Sequence, residues 1–297
     1  MKNDILDQIR DIKATVNTDK WQYDVGHPTI FHEMLSSKML PEEEKTPIRL
    51  AQEGQILVQG GTLTTSWTLS LALFHVLQQP GVLRKLRDEL FAAMPDPDEH
   101  LSLVQLENLP YLRAVVREAL RHGIGTSSRL GRIAPEETLV CRDPSTGKQV
   151  DLPPGTVVSM SPYVTVMDPN VFPDPLGFHP ERWLENGERL ENFLVIFGGG
   201  SRNCLGMALV HAEMHLMLAK LFRRWGGAGL LSAGSIEDRR EGDVGAFRIY
   251  ETTIRDCQMA SDYFIPIPYQ VSYEPQLLSS TDCVMEYRLT ELNSLGK

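Results

Sequence analysis

The stretch Phe197-Gly-Gly-Gly-Ser-Arg-Asn-Cys-Leu-Gly206 decides how the rest of the chain is read. Three consecutive glycines, Gly198 to Gly200, let a backbone turn tightly and lie close to a flat object. Arg202 sets a fixed cation two residues before a thiol. Cys204 stands at the start of an apolar segment, from about Leu205 to Trp225, that reads as a strong helix. Its sulfur would feel the positive end of that helix and accept backbone N–H bonds. Both effects favour thiolate over thiol.

A thiolate held in this way suits the axial position of a haem iron, to which it donates electron density. The competing reading is a glycine-rich phosphate loop. The string lacks GxxxxGK[ST], is not a clean GxGxxG, and has no clear strand–helix βαβ unit around it. The other cysteines, Cys141, Cys257 and Cys283, lie far apart and form no CxxC pair. A disulfide framework or zinc ribbon is therefore not expected. The formal net charge of -10 argues against general attraction to nucleic acid. Met1 to Lys20 is polar and charged, without the apolar core of a signal peptide or a membrane anchor.

Moving outward, Thr46-Pro47 is a good helix start, and no proline follows until Pro80. The segment between predicts one helix of about 30 residues, roughly 45 Å long. It is apolar over Ile56 to Leu77, yet Gln59, Gly60, Gly61, His75 and several hydroxyl residues make it a buried core helix rather than a membrane span. Residues 1–45 read as polar and mixed, with a short helix over Thr29 to Met39. Further helices are predicted over Pro80 to Met94, with Val82, Leu83, Leu86 and Leu90 on one face, and over Leu109 to Arg121, with Gly123 as its stop. Ser128 to Pro162 reads as small hairpins, with runs Thr138 to Cys141 and Thr156 to Ser159 and turns at Pro144 to Gly147 and Pro153 to Gly155. Pro162 to Asn192 is proline-rich and meandering. Residues 226–245 look like a surface insertion.

The string at 197–206 resembles the haem loop of the cytochrome P450 family, F-x-x-G-x-R-x-C-x-G, at Phe197, Gly200, Arg202, Cys204 and Gly206. Three further signatures stand in the family's order. Glu118-Ala-Leu-Arg121 is similar to E-x-x-R. Phe178-His-Pro-Glu-Arg-Trp183 resembles the P-E-R-[FW] segment. Gly60-Gly-Thr-Leu-Thr-Thr65 resembles the [AG]-G-x-[DE]-T-[TS] kink of the family's central helix. The resemblance covers about residues 25–225 and resumes weakly near Phe247 to Pro268. It implies a mainly α fold with small β-hairpin sheets, the C-terminal portion of the P450 fold. The parts are a long central helix, an E-x-x-R helix, a meander, a Cys haem loop and a proximal helix. The chain is then read as a single truncated P450-like domain over 1–297, with 226–245 inserted and 246–297 forming hairpins and a tail. The segments His27 to Glu33 and Pro41 to Lys45 have the style of fungal members that oxidise secondary metabolites.

For individual residues, the resemblance implies heme b with its iron on Cys204, lined by Phe197, Gly198, Gly200 and Gly206. Arg132 and Arg202 pair with its propionates, as bidentate arginine suits carboxylates. Glu118, Arg121 and Arg182 form a buried structural triad beneath it. Gly60 and Gly61 let the central helix open for O2, and Thr64, with Thr65 beside it, helps deliver protons. The family's usual acid before that threonine is Leu63 here, and leucine cannot relay protons. The implied activity is monooxygenation of an apolar small molecule, with electrons from NADPH through a P450 reductase on the cytosolic face of the endoplasmic reticulum. This chain shows no anchor and is compatible with the cytoplasm. Lys220, Arg223 and Arg224 are candidate docking cations for the reductase, or simply a solvated helix end. Two alternatives stay open: a non-catalytic remnant or haem-binding module, and a reductase-independent haem-thiolate isomerase or dehydratase.

Overall fold

A computed structural model describes residues 2–16, 28–143, 145–228, 237–238, 240–249, 252–262, 266–268 and 276–279. It divides into two compact units, Met1–Leu63 and Thr64–Lys297. The boundary falls inside one helix.

In the first unit, α1 spans Lys2–Val16, α2 spans Ile30–Ser36, and α3 begins at Pro47 on its way to Gln78. The reading of residues 1–20 as merely polar is corrected here. Ile5, Ile9 and Ile12 recur at helical spacing, and that stripe packs with Leu35, Leu50 and Ala51 into a small core. Gly54 is part of it, because a Cβ there would stand 2.7 Å from the Phe31 ring. Helix α3 has 32 residues and starts where Thr46-Pro47 places it, the Leu50 N–H donating to the Thr46 carbonyl at 3.0 Å.

The second unit holds the rest of α3 with α4 (Pro80–Ala93), α5 (Leu103–Glu107), α6 (Pro110–Gly123), α7 (Pro162–Val166), α8 (Glu181–Glu191) and α9 (Met207–Arg224). Its core is built from Phe74, Leu86, Leu112, Val116, Leu218 and Phe222, among others. Glu89 of α4 caps α6, its carboxylate accepting the Tyr111 and Leu112 N–H groups at 2.8 Å each. These are donors that no intrahelical carbonyl can serve. Gly123 does not end α6 by turning. It lies within the helix, where a Cβ would overlap the Thr68 hydroxyl. The left-handed backbone falls on Ile124 (φ 61°) and Gly125 (φ 66°) instead.

The hairpin region is as the turn signals predict. Strands β1 (Arg132–Ile133) and β4 (Val157–Val158) pair antiparallel, as do β2 (Leu139–Arg142) and β3 (Gln149–Leu152). The region that the sequence reads as a meander contains α7 and α8. After α9, β5 (Trp225–Ala228) pairs parallel with β7 (Gly245–Arg248) and antiparallel with β6 (Glu237–Asp238). β10 (Gln276–Ser279) adds to β7, and β8 (Met259–Asp262) pairs with β9 (Pro266–Pro268). The expected tail beyond Ser279 lies outside the described residues, as does Cys283.

Residues 226–245 are not a surface stretch throughout. Gly226 and Gly227 are buried, and a Cβ on Gly227 would collide with Leu83 and Leu77. Asp243 is held by the fully buried Arg87 of α4 at 2.8 and 2.6 Å. Arg87 also donates to the Phe222 carbonyl at 3.0 Å and to that of Trp225. Arg87→Met is expected to cost about 3 kcal/mol, because it leaves the Asp243 carboxylate buried without its cation. Urea denaturation measures this; a loss below about 1 kcal/mol would mean that water replaces the guanidinium.

Candidate functional site

The loop around Cys204 is shaped by two of its three glycines. Gly198 (φ 72°) and Gly200 (φ 66°) take left-handed backbone that side chains rarely adopt, whereas Gly199 is extended at φ -159°. Phe197 ends one 3-10 turn (Val195–Phe197), and Gly200–Arg202 forms the next. The Cys204 N–H then donates to the Phe197 carbonyl at 2.8 Å, closing the loop. Helix α9 starts three residues later, with Gly206 capping it and its carbonyl accepting from the Val210 N–H at 2.9 Å. The Cys204 thiol is therefore exposed at the positive end of an 18-residue helix. The Phe197 ring lies 5.7 Å from that of His211.

Two cations expected at this site are uncommitted. Arg202 is exposed, and its side chain has no ion pair among the described residues. Arg132 opens β1, is also exposed, and among the described residues donates only to the adjacent Gly131 carbonyl at 3.0 Å.

The structural triad is assembled. Arg121 meets Glu118 through Nε at 3.0 Å and Nη2 at 2.8 Å, both side chains being fully buried. Arg182 Nε reaches the same carboxylate at 3.2 Å. Two further donors join them, the Trp183 indole at 2.7 Å and the His179 backbone N–H at 2.9 Å, with the His122 ring 3.7 Å away. Burial alone would raise the Glu118 carboxyl. The Arg121 guanidinium, helped by His122, overcomes that and holds it well below the ordinary carboxylate range. Burial pushes His122 itself below its ordinary value, Glu118 opposing. Arg121 spends its remaining donors on the Val166, Pro175 and Gly177 carbonyls at 3.0, 2.8 and 3.1 Å. The meander is thus tied to α6 by charge-assisted bonds.

Along α3, Gly60 and Gly61 belong to the first unit, in unbroken helix, and a Cβ at either would meet no described atom within 4 Å. Thr64 and Thr65 belong to the second unit. Thr65 is buried, and Thr64 is partly exposed with its carbonyl accepting from the Thr68 hydroxyl at 2.9 Å. The Leu63 side chain is 43% exposed.

The docking cations need a correction. Arg223 is buried, donating to the Met94 and Pro95 carbonyls at 2.6 and 2.7 Å with its guanidinium 4.0 Å from the centre of the Phe91 ring. It is a packing residue, because the end of α9 is covered by the loop after α4. Arg224 faces Asp98 at 3.4 Å, and Lys220 is exposed.

The described residues thus offer one exposed thiol after a glycine loop, and two exposed arginines with no ion pair among those residues. No group of three His, Cys, Asp or Glu side chains among the described residues could hold a bare metal ion. A haem asks for less: one soft axial ligand, a backbone that passes close, and cations for two propionates. Cys204, the glycine loop, Arg202 and Arg132 fit that demand. The profile of the cytochrome P450 family matches residues 2–226. The chain is 43% identical to "Cytochrome P450 monooxygenase astB" of Talaromyces wortmannii over 91% of its own length and 53% of that protein. It is 44% identical to "Cytochrome P450 monooxygenase tpcC" of Cochliobolus heterostrophus over 82% and 45%. It is 39% identical to "Tryptophan 6-hydroxylase fscE" of Fusarium equiseti over 80% and 42%. The chain belongs to the cytochrome P450 family. It spans about half the length of the curated relatives it matches. Membership implies a haem-thiolate cofactor, with O2 and a redox partner in the family generally. No helix among the described residues is long and apolar enough to cross a membrane.

Proposed function

We propose that this protein is a haem-thiolate monooxygenase acting on an apolar small molecule of secondary metabolism. Its electrons come from NADPH through a P450 reductase. The observation that carries the reading is Cys204, an exposed thiol fixed between a glycine loop and a helix N-terminus. Heme b, when bound, supplies O2 activation and transfer of one oxygen atom to substrate. Cys204 would hold its iron. Phe197, Gly198, Gly200 and Gly206 shape the loop beside the ring, and Arg132 and Arg202 hold the propionates. Glu118, Arg121 and Arg182 fix the meander that carries the chain toward that loop. Gly60 and Gly61 supply a smooth helical face.

Thr64, with Thr65, orients and passes protons. A hydroxyl both donates and accepts, whereas Leu63 does neither. This chain's proton supply therefore rests on hydroxyls and water rather than on an acid. Thr64→Ala is expected to raise peroxide released per product formed. Unchanged coupling in an active preparation would remove Thr64 from proton delivery.

The test of the whole reading is the reduced, carbon monoxide-bound difference spectrum of the purified chain supplied with haem. A red-shifted Soret band supports ligation by a thiolate. Absence of haem uptake, or the band of a neutral axial ligand, would instead favour a non-catalytic member of the family.

A further inference from the structure

A cavity of roughly 210 Å³ lies within the second unit and shares no residue with the Cys204 loop. It is lined by side chains from α3, from the end of α6, from α7 and from the segment around Ile254 to Met259. None of the lining residues is Asp, Glu, Lys or Arg. Trp67, Tyr163, Met167 and Met259 give part of the wall an aromatic or thioether face.

The wall also carries His75, His122, Tyr163, Cys257 and Gln258, of which His75 is the most buried. The residue is only 3% exposed. Its ring stacks on Phe178 at 4.8 Å and 5°, meets the edge of Phe74 at 5.3 Å and lies 4.8 Å from His122. Three rings therefore fix its orientation. Neither ring nitrogen has a hydrogen-bond partner among the described residues, although the ring borders the cavity. Neither nitrogen is among the fully buried unpartnered atoms, so the polar edge of the ring opens onto the cavity. A hydroxyl entering the cavity can bond it there. Burial, with the neighbouring His122 and Arg121, pushes His75 well below its ordinary value, with Glu118 opposing. The imidazole is then neutral at pH 7, with one nitrogen accepting and the other donating.

Charge argues against ionic ligands. An anion would find no cation in the wall, since the nearby Arg121 is committed to Glu118 and three carbonyls. A cation would find no carboxylate. We infer that this cavity is a second ligand site, taking a small neutral aromatic alcohol or phenol whose hydroxyl bonds His75 while its ring packs on Trp67, Met167 and Met259. The inference does not rest on haem binding at Cys204.

Phenol is the probe. It is titrated into the full chain supplied with haem and followed by calorimetry and tryptophan fluorescence. The expected result is saturable binding at one site per chain, with benzoate failing to compete. His75→Phe removes the hydrogen bond and Ile254→Trp fills the cavity from the opposite wall. Each should weaken phenol at least about tenfold. The haem absorption spectrum, recorded in parallel, should be that of wild type in both variants. Failure at the cavity and failure at Cys204 are then separate readings. No saturable binding, benzoate binding as tight as phenol, or unchanged affinity in both variants would overturn the assignment and leave a water-filled cavity. If His75→Phe does not fold, Ile254→Trp decides alone.

Discussion

Cys204→Ala, supplied with haem, is expected to lose the red-shifted Soret band of the reduced carbon monoxide complex entirely, and turnover with it. The red shift requires an anionic sulfur on the iron, and alanine supplies nothing in its place. Cys204 is also the cysteine that stands at a helix start. Its own N–H is spent on the Phe197 carbonyl, and α9 begins three residues on, with its N–H groups directed back toward the loop. Cys141 is the internal control. It is likewise exposed and free, but it lies in the short strand β2, with no helix end beside it. Cys141→Ala should leave the spectrum as it is. A neutral-ligand band in Cys204→Ala would show that another side chain had reached the iron, with His211 a candidate because its ring lies 5.7 Å from Phe197. A wild-type spectrum in Cys204→Ala would remove Cys204 as the axial ligand.

The site and the scaffold were legible to different degrees, for physical reasons. Cys204, Arg202 and the glycines form one short stretch, so their chemistry can be read locally. Only backbone geometry separates Gly198 and Gly200, which need left-handed φ, from Gly199, which does not. Glu118 and Arg121 are also local, three residues apart on one helix. Trp183 and the His179 N–H reach the same carboxylate from 65 and 61 residues away. Periodicity carries no information about such a meeting. Arg223 misled because a basic residue near a helix C-terminus usually lies in water. Here two distant carbonyls and Phe91 enclose it. Gly226 and Gly227 misled in the opposite way. Glycines punctuate loops, but a residue without a Cβ also fits a strand pressed against Leu83. Helix α1 was missed, because its many charges masked the helical spacing of Ile5, Ile9 and Ile12.

Glu118→Gln is expected to destabilise the protein by about 3–5 kcal/mol, a large share of the 5–15 kcal/mol by which ordinary domains are held folded. The substitution keeps shape and volume, so packing hardly changes. Charge and acceptor capacity change together. The carboxylate takes Arg121 twice, Arg182, the Trp183 indole and the His179 N–H. An amide offers one oxygen, and its NH2 group would face donors that it cannot accept. Arg121 would stay buried with no counter-charge, its carbonyl partners offering only partial compensation. Arg121→Met leaves the buried carboxylate with Arg182 as its one remaining guanidinium among the described residues and should also be strongly destabilising. The double variant Glu118→Gln, Arg121→Met should lose clearly less than the sum, since neither partner then remains charged without the other. Denaturant midpoints on the four proteins give that difference directly. Additive losses would mean that the two residues act through separate partners. A loss below about 1 kcal/mol for Glu118→Gln would mean that water already solvates the pair. The same variant should also release haem more readily than wild type. The meander tied down by Arg121 and Arg182 leads from α8 into the Cys204 loop, so loosening the carboxylate slackens the segment that positions the thiol.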